Sequence, residues 1–266
     1  MTMQINAHTY AYTGGKPFDA ALPTVVFLHG ALHDHSVFTL LARWLAHQGH
    51  SVLALDLPGH GRSAGPALAS IPALATWALE ALDAVGAQRA AWVGHSMGSL
   101  IALEAAAQAP ARATQLVMIG TAFPMRVAPA LLQTAEQDPE AAMRMVNTFS
   151  HSTQAAKPGY PGPGAWLHGG NLALMRRTQT GYRQGNLFAL DFTLCDSYEG
   201  GLDAAAKVTC PVTFIAGSRD SMTPPKAAAA LAAALKPTVH TLPTGHALMA
   251  EDPDGVLRAL RTALAA

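Results

Sequence analysis

The segment that most constrains this chain runs from Arg89 to Ala109. A short apolar stretch, Ala90-Ala-Trp-Val93, leads into Gly94-His95-Ser96-Met97-Gly98, and a helix-prone, Ala-rich run follows at once. A strand that passes directly into a helix must turn very sharply. A Gly-x-Ser-x-Gly at that junction puts a serine hydroxyl at the apex of the turn, clear of the sheet. The serine backbone is strained there, and Gly94 and Gly98 remove the side chains that would collide as strand and helix close together. The helix also aims its amide-rich N-terminus back at the serine, where it favours negative charge. Five residues of this pattern occur by chance in many chains. The flanking strand and helix give it chemical meaning, and a later acid and histidine, in that order, complete it.

The rest of the chain alternates in step with this unit. Thr24-Val-Val-Phe-Leu28 reads as a buried parallel strand, ending in His29-Gly30-Ala31-Leu32-His33-Asp34-His35-Ser36. Ser36 is expected to cap a helix through Gln48, since Val37, Leu40, Leu41, Trp44 and Leu45 recur at helical spacing. A strand over Ser51–Leu55 precedes the turn-rich Asp56-Leu-Pro-Gly-His-Gly-Arg-Ser63, and Ser70 with Pro72 opens a helix through Val85. After the elbow helix and Pro110, Gln115–Ile119 is a further apolar strand, while residues 4–13, ending in Gly14-Gly15, read as an edge hairpin. From about Phe123 to Lys207 the pattern is helical with no convincing buried strand. This segment contains Pro158-Gly-Tyr-Pro-Gly-Pro-Gly164, Trp166 and four methionines, Met125, Met143, Met145 and Met175. Alternation resumes with strand Pro211–Ala216, helix Pro225–Leu235, strand Thr238–Leu242 and helix Pro253–Ala265. Half of the 266 residues are hydrophobic, enough for a large core. The expected fold is α/β: a doubly wound, mostly parallel sheet over 1–122 and 207–266, with a mainly helical cap inserted at 123–206.

The acid and the histidine appear at the two strand ends after the insertion, in Gly217-Ser-Arg-Asp220 and Gly245-His246. Residues just beyond the C-termini of parallel strands share the edge of the sheet where ligands bind, so Asp220 and His246 are expected beside Ser96. His246 would take the Ser96 proton and later return it to the leaving group, while Asp220 orients the imidazole and stabilises its charged form. The backbone amides of Met97 and Ala31 are the expected oxyanion donors.

In these pieces the chain resembles the α/β-hydrolase superfamily over nearly its whole length. They are His29-Gly30 after a strand, Asp56 through Ser63, Gly94 through Gly98, Gly217 through Asp220, and Gly245-His246. The resemblance implies a serine hydrolase with a helical cap and no cofactor. His29, His33, Asp34 and His35 are residue types that can ligate a metal, but the histidines among them have structural or pocket-lining readings, and no metal is expected. Members with aspartate as nucleophile are dehalogenases or epoxide hydrolases, and Ser96 argues against both. Some members carry the acid after the preceding strand, but Gly120 and Thr121 are not acidic. The expected activity is hydrolysis of a small to medium, moderately hydrophobic carboxylic ester or thioester. Alternatives on the same triad are a carbon–carbon bond hydrolase for ring-cleavage diketones and an acyltransferase or perhydrolase. From another class, a ligand receptor with little turnover remains open.

Other features narrow the partners to a small-molecule substrate. Formal net charge is zero, so nothing advertises a nucleic-acid surface. The first residues lack the charged and apolar regions of a signal peptide, and the Ala/Leu run Ala227–Leu235 is too short to span a bilayer, so no membrane association is expected. With two cysteines, Cys195 and Cys210, a reduced cytoplasmic protein is expected. Oligomeric state is not readable from the chain. Asp252 reads as a helix N-terminal acid beside Pro253, and His29 as a structural hydrogen-bonding residue. His33 and His35 are expected at the pocket entrance. His95 should have a positional role with its side chain turned from the serine, and His60 and Arg62 should serve loop packing. The methionines fit either plain core or an acyl pocket, and Trp166 either a pocket wall or a cap anchor.

Overall fold

A computed structural model describes residues 1–153 and 166–265. Pro158–Gly164 therefore falls outside the described residues. The strands are β1 (Thr2–Gln4), β2 (Tyr10–Tyr12), β3 (Thr24–Leu28), β4 (Ser51–Leu55), β5 (Ala90–His95), β6 (Ala113–Ile119), β7 (Val212–Gly217) and β8 (Thr238–Leu242). They form one sheet in the order β1-β2-β4-β3-β5-β6-β7-β8. The pairs from β4 through β8 are parallel, and the β1–β2 hairpin is antiparallel at one edge. The hairpin thus begins at Thr2, earlier than its composition suggests.

Burial on both faces explains why the central strands are continuous apolar runs. Val26 and Leu28 of β3 point into one core with Trp92 of β5. Val25 and Phe27 point into the other with Ala91 and Val93. The first face is covered by α2 (Ile71–Ala84) and α3 (Met97–Gln108). The second is covered by α1 (Thr39–His47) and α11 (Pro253–Leu264). Ser70 caps α2 by accepting from the Ala73 amide, and Asp252 caps α11 by accepting from that of Gly255.

The start of α1 differs from the expected one. Asp34, not Ser36, supplies the cap, and it caps a single 3-10 turn, His35–Phe38: its carboxylate accepts the Ser36 amide at 2.8 Å, and α1 follows with no side-chain cap of its own. A carboxylate two residues upstream reaches that amide, so Ser36 is drawn inside the turn.

Between β6 and β7 lie α4 (Pro129–Gln137), α5 (Pro139–Ser150), α6 (Leu167–Gly181), α7 (Leu187–Ser197) and α8 (Gly201–Ala205), with no strand among the described residues of that segment. Leu131, Met143, Val146, Met175, Leu187 and Phe188 gather in a third apolar cluster, which also takes in Leu32 from the loop after β3. The helices α9 (Ala229–Leu235) and α10 (Leu248–Glu251) complete the chain. Of these, α10 has no counterpart in the sequence pattern.

Candidate active site

Ser96 sits between β5 and α3 with φ 53° and ψ −121°, a backbone geometry that non-glycine residues rarely adopt. Hydrogen bonds hold it there. Its amide donates to the Ile119 carbonyl at 2.9 Å, and its own carbonyl accepts from the Ser99 amide and the Ser99 hydroxyl at 2.8 and 2.6 Å. Close approach accounts for both glycines of the motif. A Cβ on Gly94 would fall 2.0 Å from the Gly98 carbonyl oxygen, and one on Gly98 would fall 2.0 Å from that of Leu28.

Asp220 and His246 come together from the loops after β7 and β8. Asp220 Oδ2 lies 2.8 Å from His246 Nδ1 and accepts the Thr223 hydroxyl at 2.8 Å. Its Oδ1 accepts the amides of Met222 and Thr223, each at 2.8 Å. Burial raises the pKa of such a carboxyl, but the His246 charge and these donors outweigh it and hold Asp220 at about 2. With Nδ1–H directed to a carboxylate, the lone pair of neutral His246 sits on Nε2. Gly120, just after β6, lies against this ring: a Cβ there would come 3.3 Å from His246 Cε1 and Nδ1.

His95 and the oxyanion candidates complete the inner wall. His95 Nε2 lies 2.9 Å from the His246 carbonyl oxygen, a contact that requires a proton on Nε2, and the two rings are 4.8 Å apart between centroids. Burial keeps this ring neutral, well below the usual histidine value, and its side chain borders the cavity described below. Met97 opens α3, where a first-turn amide has no intrahelical acceptor. Gly30 packs against the elbow, its Cβ position 3.1 Å from Ser96 Cβ, which brings Ala31 to the same place.

Ser96, His246, Ala31 and His33 border a cavity of about 440 Å³ whose outer wall is apolar, with Met125, Val127, Leu131, Met145, Val146 and Phe192. The methionines divide: Met125 and Met145 line this cavity, whereas Met143 and Met175 are buried in the third apolar cluster. A second cavity of about 310 Å³ shares His33 and His95 with the first and has the 70% exposed Trp166 among its lining. Cys195 and Cys210 are both free thiols.

His35 departs from its expected place. Its Nδ1 and its amide both turn to Asp56 Oδ1 at 2.7 Å, away from the entrance. Asp34, His35 and Asp56 cluster closely enough to suggest metal ligands. Their carboxylate oxygens are already engaged by N–H donors, however: Asp34 by Ser36 and Arg177, Asp56 by His35 and Arg62. Such a set does not fit a cation. His29 Nε2 accepts the Leu57 amide at 3.0 Å, a structural bond of the kind expected.

Two buried carboxylates escape the sequence reading. Glu251, on α10, accepts the amides of Gly245 and Ser152 and pairs with the Ser152 hydroxyl, tying the His246 loop to the end of α5. Asp191, on α7, accepts the Leu32 amide at 2.7 Å and lies 2.8 Å from His60 Nε2. The available signal was a lone acid inside an apolar helical run, Leu187-Phe-Ala-Leu-Asp191-Phe192.

Residues 25–259 match the sequence profile of the alpha/beta hydrolase family. The chain belongs to that family. It is also similar to the pimeloyl-[acyl-carrier protein] methyl ester esterase of Methylococcus capsulatus, 37% identical over 102 residues, 36% of each chain. The chain therefore spans about a third of the length of the curated relatives it matches. Among solved structures, an esterase from Exiguobacterium antarcticum superposes with a TM-score of 0.80 at 17% identity, over 97% of this chain and 96% of that one. The enol-lactonase from Burkholderia xenovorans superposes with 0.79 at 20%, over 97% of both. At such identities these likenesses bear on the fold alone. No helix among the described residues is long and apolar enough to cross a membrane.

Proposed function

We propose that this alpha/beta hydrolase is a serine hydrolase that cleaves a small to medium, moderately hydrophobic carboxylic ester or thioester through an acyl-enzyme. The observation that carries the reading is that strained Ser96 and the Asp220-paired His246 border one apolar-walled cavity. His246 Nε2 takes the Ser96 proton as Oγ attacks the carbonyl carbon, and Asp220 stabilises the imidazolium. The amides of Met97 and Ala31 receive the oxyanion, each contributing about 3–4 kcal/mol to the transition state. The imidazolium then protonates the leaving alcohol or thiol. A water activated by the same nitrogen releases the acid and restores Ser96.

Residues 123–206 act as the cap in this reading, over a core of 1–122 and 207–266. Met145, Val146 and Phe192 come from that segment, and they favour an apolar acyl or alcohol group over a charged one. The pimeloyl ester esterase of Methylococcus capsulatus supports the ester class, not the identity of the ester.

The test is fluorophosphonate labelling mapped by mass spectrometry, run beside p-nitrophenyl esters of two to twelve acyl carbons. Labelling at Ser96 with turnover that peaks at one chain length is the expected result. Labelling without turnover would move the assignment to a diketone hydrolase, an acyltransferase or a receptor. No labelling at Ser96 would remove the nucleophile from the proposal.

A further inference from the structure

Behind the loop that carries Ala31 lies a buried charge pair that the reaction scheme does not use. His60 and Asp191 are each about 2% exposed, and they come from distant parts of the chain, the loop after β4 and helix α7. Both ring nitrogens of His60 face acceptors: Nδ1 is 3.1 Å from the Pro58 carbonyl oxygen, and Nε2 is 2.8 Å from Asp191 Oδ2. Only the doubly protonated imidazolium can satisfy both. Burial opposes that charge, but the carboxylate beside it and the Pro58 carbonyl overcome the penalty and raise the His60 pKa. The adjacent His29 ring, 5.0 Å away, stays neutral. Its Nε2 accepts the Leu57 amide while its Nδ1–H donates to the Gly30 carbonyl at 2.9 Å.

The same Asp191 oxygen accepts the backbone amide of Leu32. That amide belongs to the central peptide of a tight turn, since the His33 amide donates back to the Gly30 carbonyl at 3.3 Å. Leu32 has a φ of 54° at the third position of this turn. Two arrangements of such a turn differ mainly by a flip of the central peptide. The one with positive φ at the third position belongs to glycine or asparagine by preference. A buried leucine holds it only against a strain that something else must offset. A charged acceptor on the Leu32 amide selects this flip and anchors the turn. The Ala31 N–H, which belongs to the preceding Gly30–Ala31 peptide, keeps its place through the fixed backbone of that turn.

We propose that Asp191, held in place by the His60 imidazolium, is a positioning residue that anchors the Gly30–His33 turn through the Leu32 amide and so keeps the Ala31 amide, one residue earlier in that turn, at the oxyanion site. The role rests on the serine-hydrolase reading for its effect on rate, but the peptide lock itself is independent of that reading. Asp191 belongs to α7 of the inserted segment, so the loop after β3 acquires its geometry only when that segment is seated.

The experiment compares Asp191→Asn with the parent by two readouts, p-nitrophenyl ester kinetics and the NMR signal and hydrogen exchange of the Leu32 amide. In the parent this amide should be strongly downfield and protected, as expected for a donor to a carboxylate. The variant should lose that shift, and kcat should fall about 100-fold with KM within threefold, because the ground-state acyl contacts are untouched. If the Leu32 amide is unchanged in the variant, or if kcat stays within twofold of the parent, the positioning role is wrong. Should Asp191→Asn fail to fold, His60→Gln carries the same two readouts with Asp191 left in place. A parent that turns over no ester would overturn the ester-hydrolase reading, and the Leu32 amide would then decide the peptide lock alone.

Discussion

The ring of His95 donates from Nε2 to the backbone carbonyl of His246 at 2.9 Å, so the residue before the proposed nucleophile holds the main chain of the proposed general base. This direction of donation leaves His95 Nδ1 unprotonated, and burial keeps the ring from competing with His246 for a proton. His95→Gln, which retains a side-chain donor, should keep kcat within about fivefold of the parent. His95→Leu should lose about 100-fold through misplacement of the imidazole. Equal rates for the two variants, measured on one ester at saturation, would show that this bond does not position His246.

Thr223 joins the acid to the histidine. Its hydroxyl donates to Asp220 Oδ2 and its oxygen lies 3.0 Å from His246 Nδ1. Thr223→Val keeps the shape and removes the hydrogen bonds, which should cost about 1–2 kcal/mol of stability and about tenfold in kcat/KM. Asp220→Asn should cost far more, about 10⁴-fold in kcat, because the amide favours the wrong histidine tautomer. A Thr223→Val enzyme with unaltered kcat/KM would leave Asp220 and His246 self-sufficient.

Ser96, the proposed nucleophile, should also be a stability liability. Ser96→Ala retains the positive φ and should abolish fluorophosphonate labelling with the fold intact. Ser96→Gly relieves the backbone strain, and it should be more stable than Ser96→Ala by about 1 kcal/mol, or roughly 2–4 °C in melting temperature. Differential scanning calorimetry of the two inactive variants tests this without any assay. A glycine variant that melts below the alanine one would contradict the strain at the elbow.

Acid should weaken the fold in two stages. Burial lowers His33 to about 4 and holds His29, His95 and His151 below the usual value, so all four are uncharged in the native protein near neutrality. Below about pH 6.5 the unfolded chain binds protons that the native chain refuses, so stability falls with pH, by about 1.4 kcal/mol per unit for each fully neutral histidine. Asp34 and Asp220, both held at about 2, act lower: their contribution is present above about pH 4 and lost as pH falls toward 2. His60 runs the other way. Its pKa is raised, so its contribution is complete below about pH 6.5 and lost as pH rises through the raised value. Urea midpoints from pH 8 to pH 3 should therefore pass through a maximum near neutrality and drop steeply on the acid side. A flat midpoint between pH 7 and pH 5 would mean that the buried histidines take up protons in place.

The chain by itself determined the alternation of strands and helices, the elbow, and the order of Ser96, Asp220 and His246. These are local matters: strand and helix periods, glycines where Gly94 and Gly98 meet backbone at 2.0 Å, and residues that must share one edge because parallel strands end there. Even the Asp252 cap could be read, since cap and capped amide lie within one turn. The cap at Asp34 was missed because a serine at Ser36 obeys the same local rule, and only the turn geometry separates the two. Tertiary structure alone decided what depends on how the described residues between β6 and β7 pack. It sorted Met125 and Met145 onto the cavity wall and Met143 and Met175 into core, although all four share one composition. It brought Asp191 to Leu32 and His60 across separations of 159 and 131 residues, and Glu251 to Ser152 across 99. A carboxylate has no preferred partner at such distances until packing removes water from around it. Burial then makes every unmatched donor costly, and the pairing becomes specific.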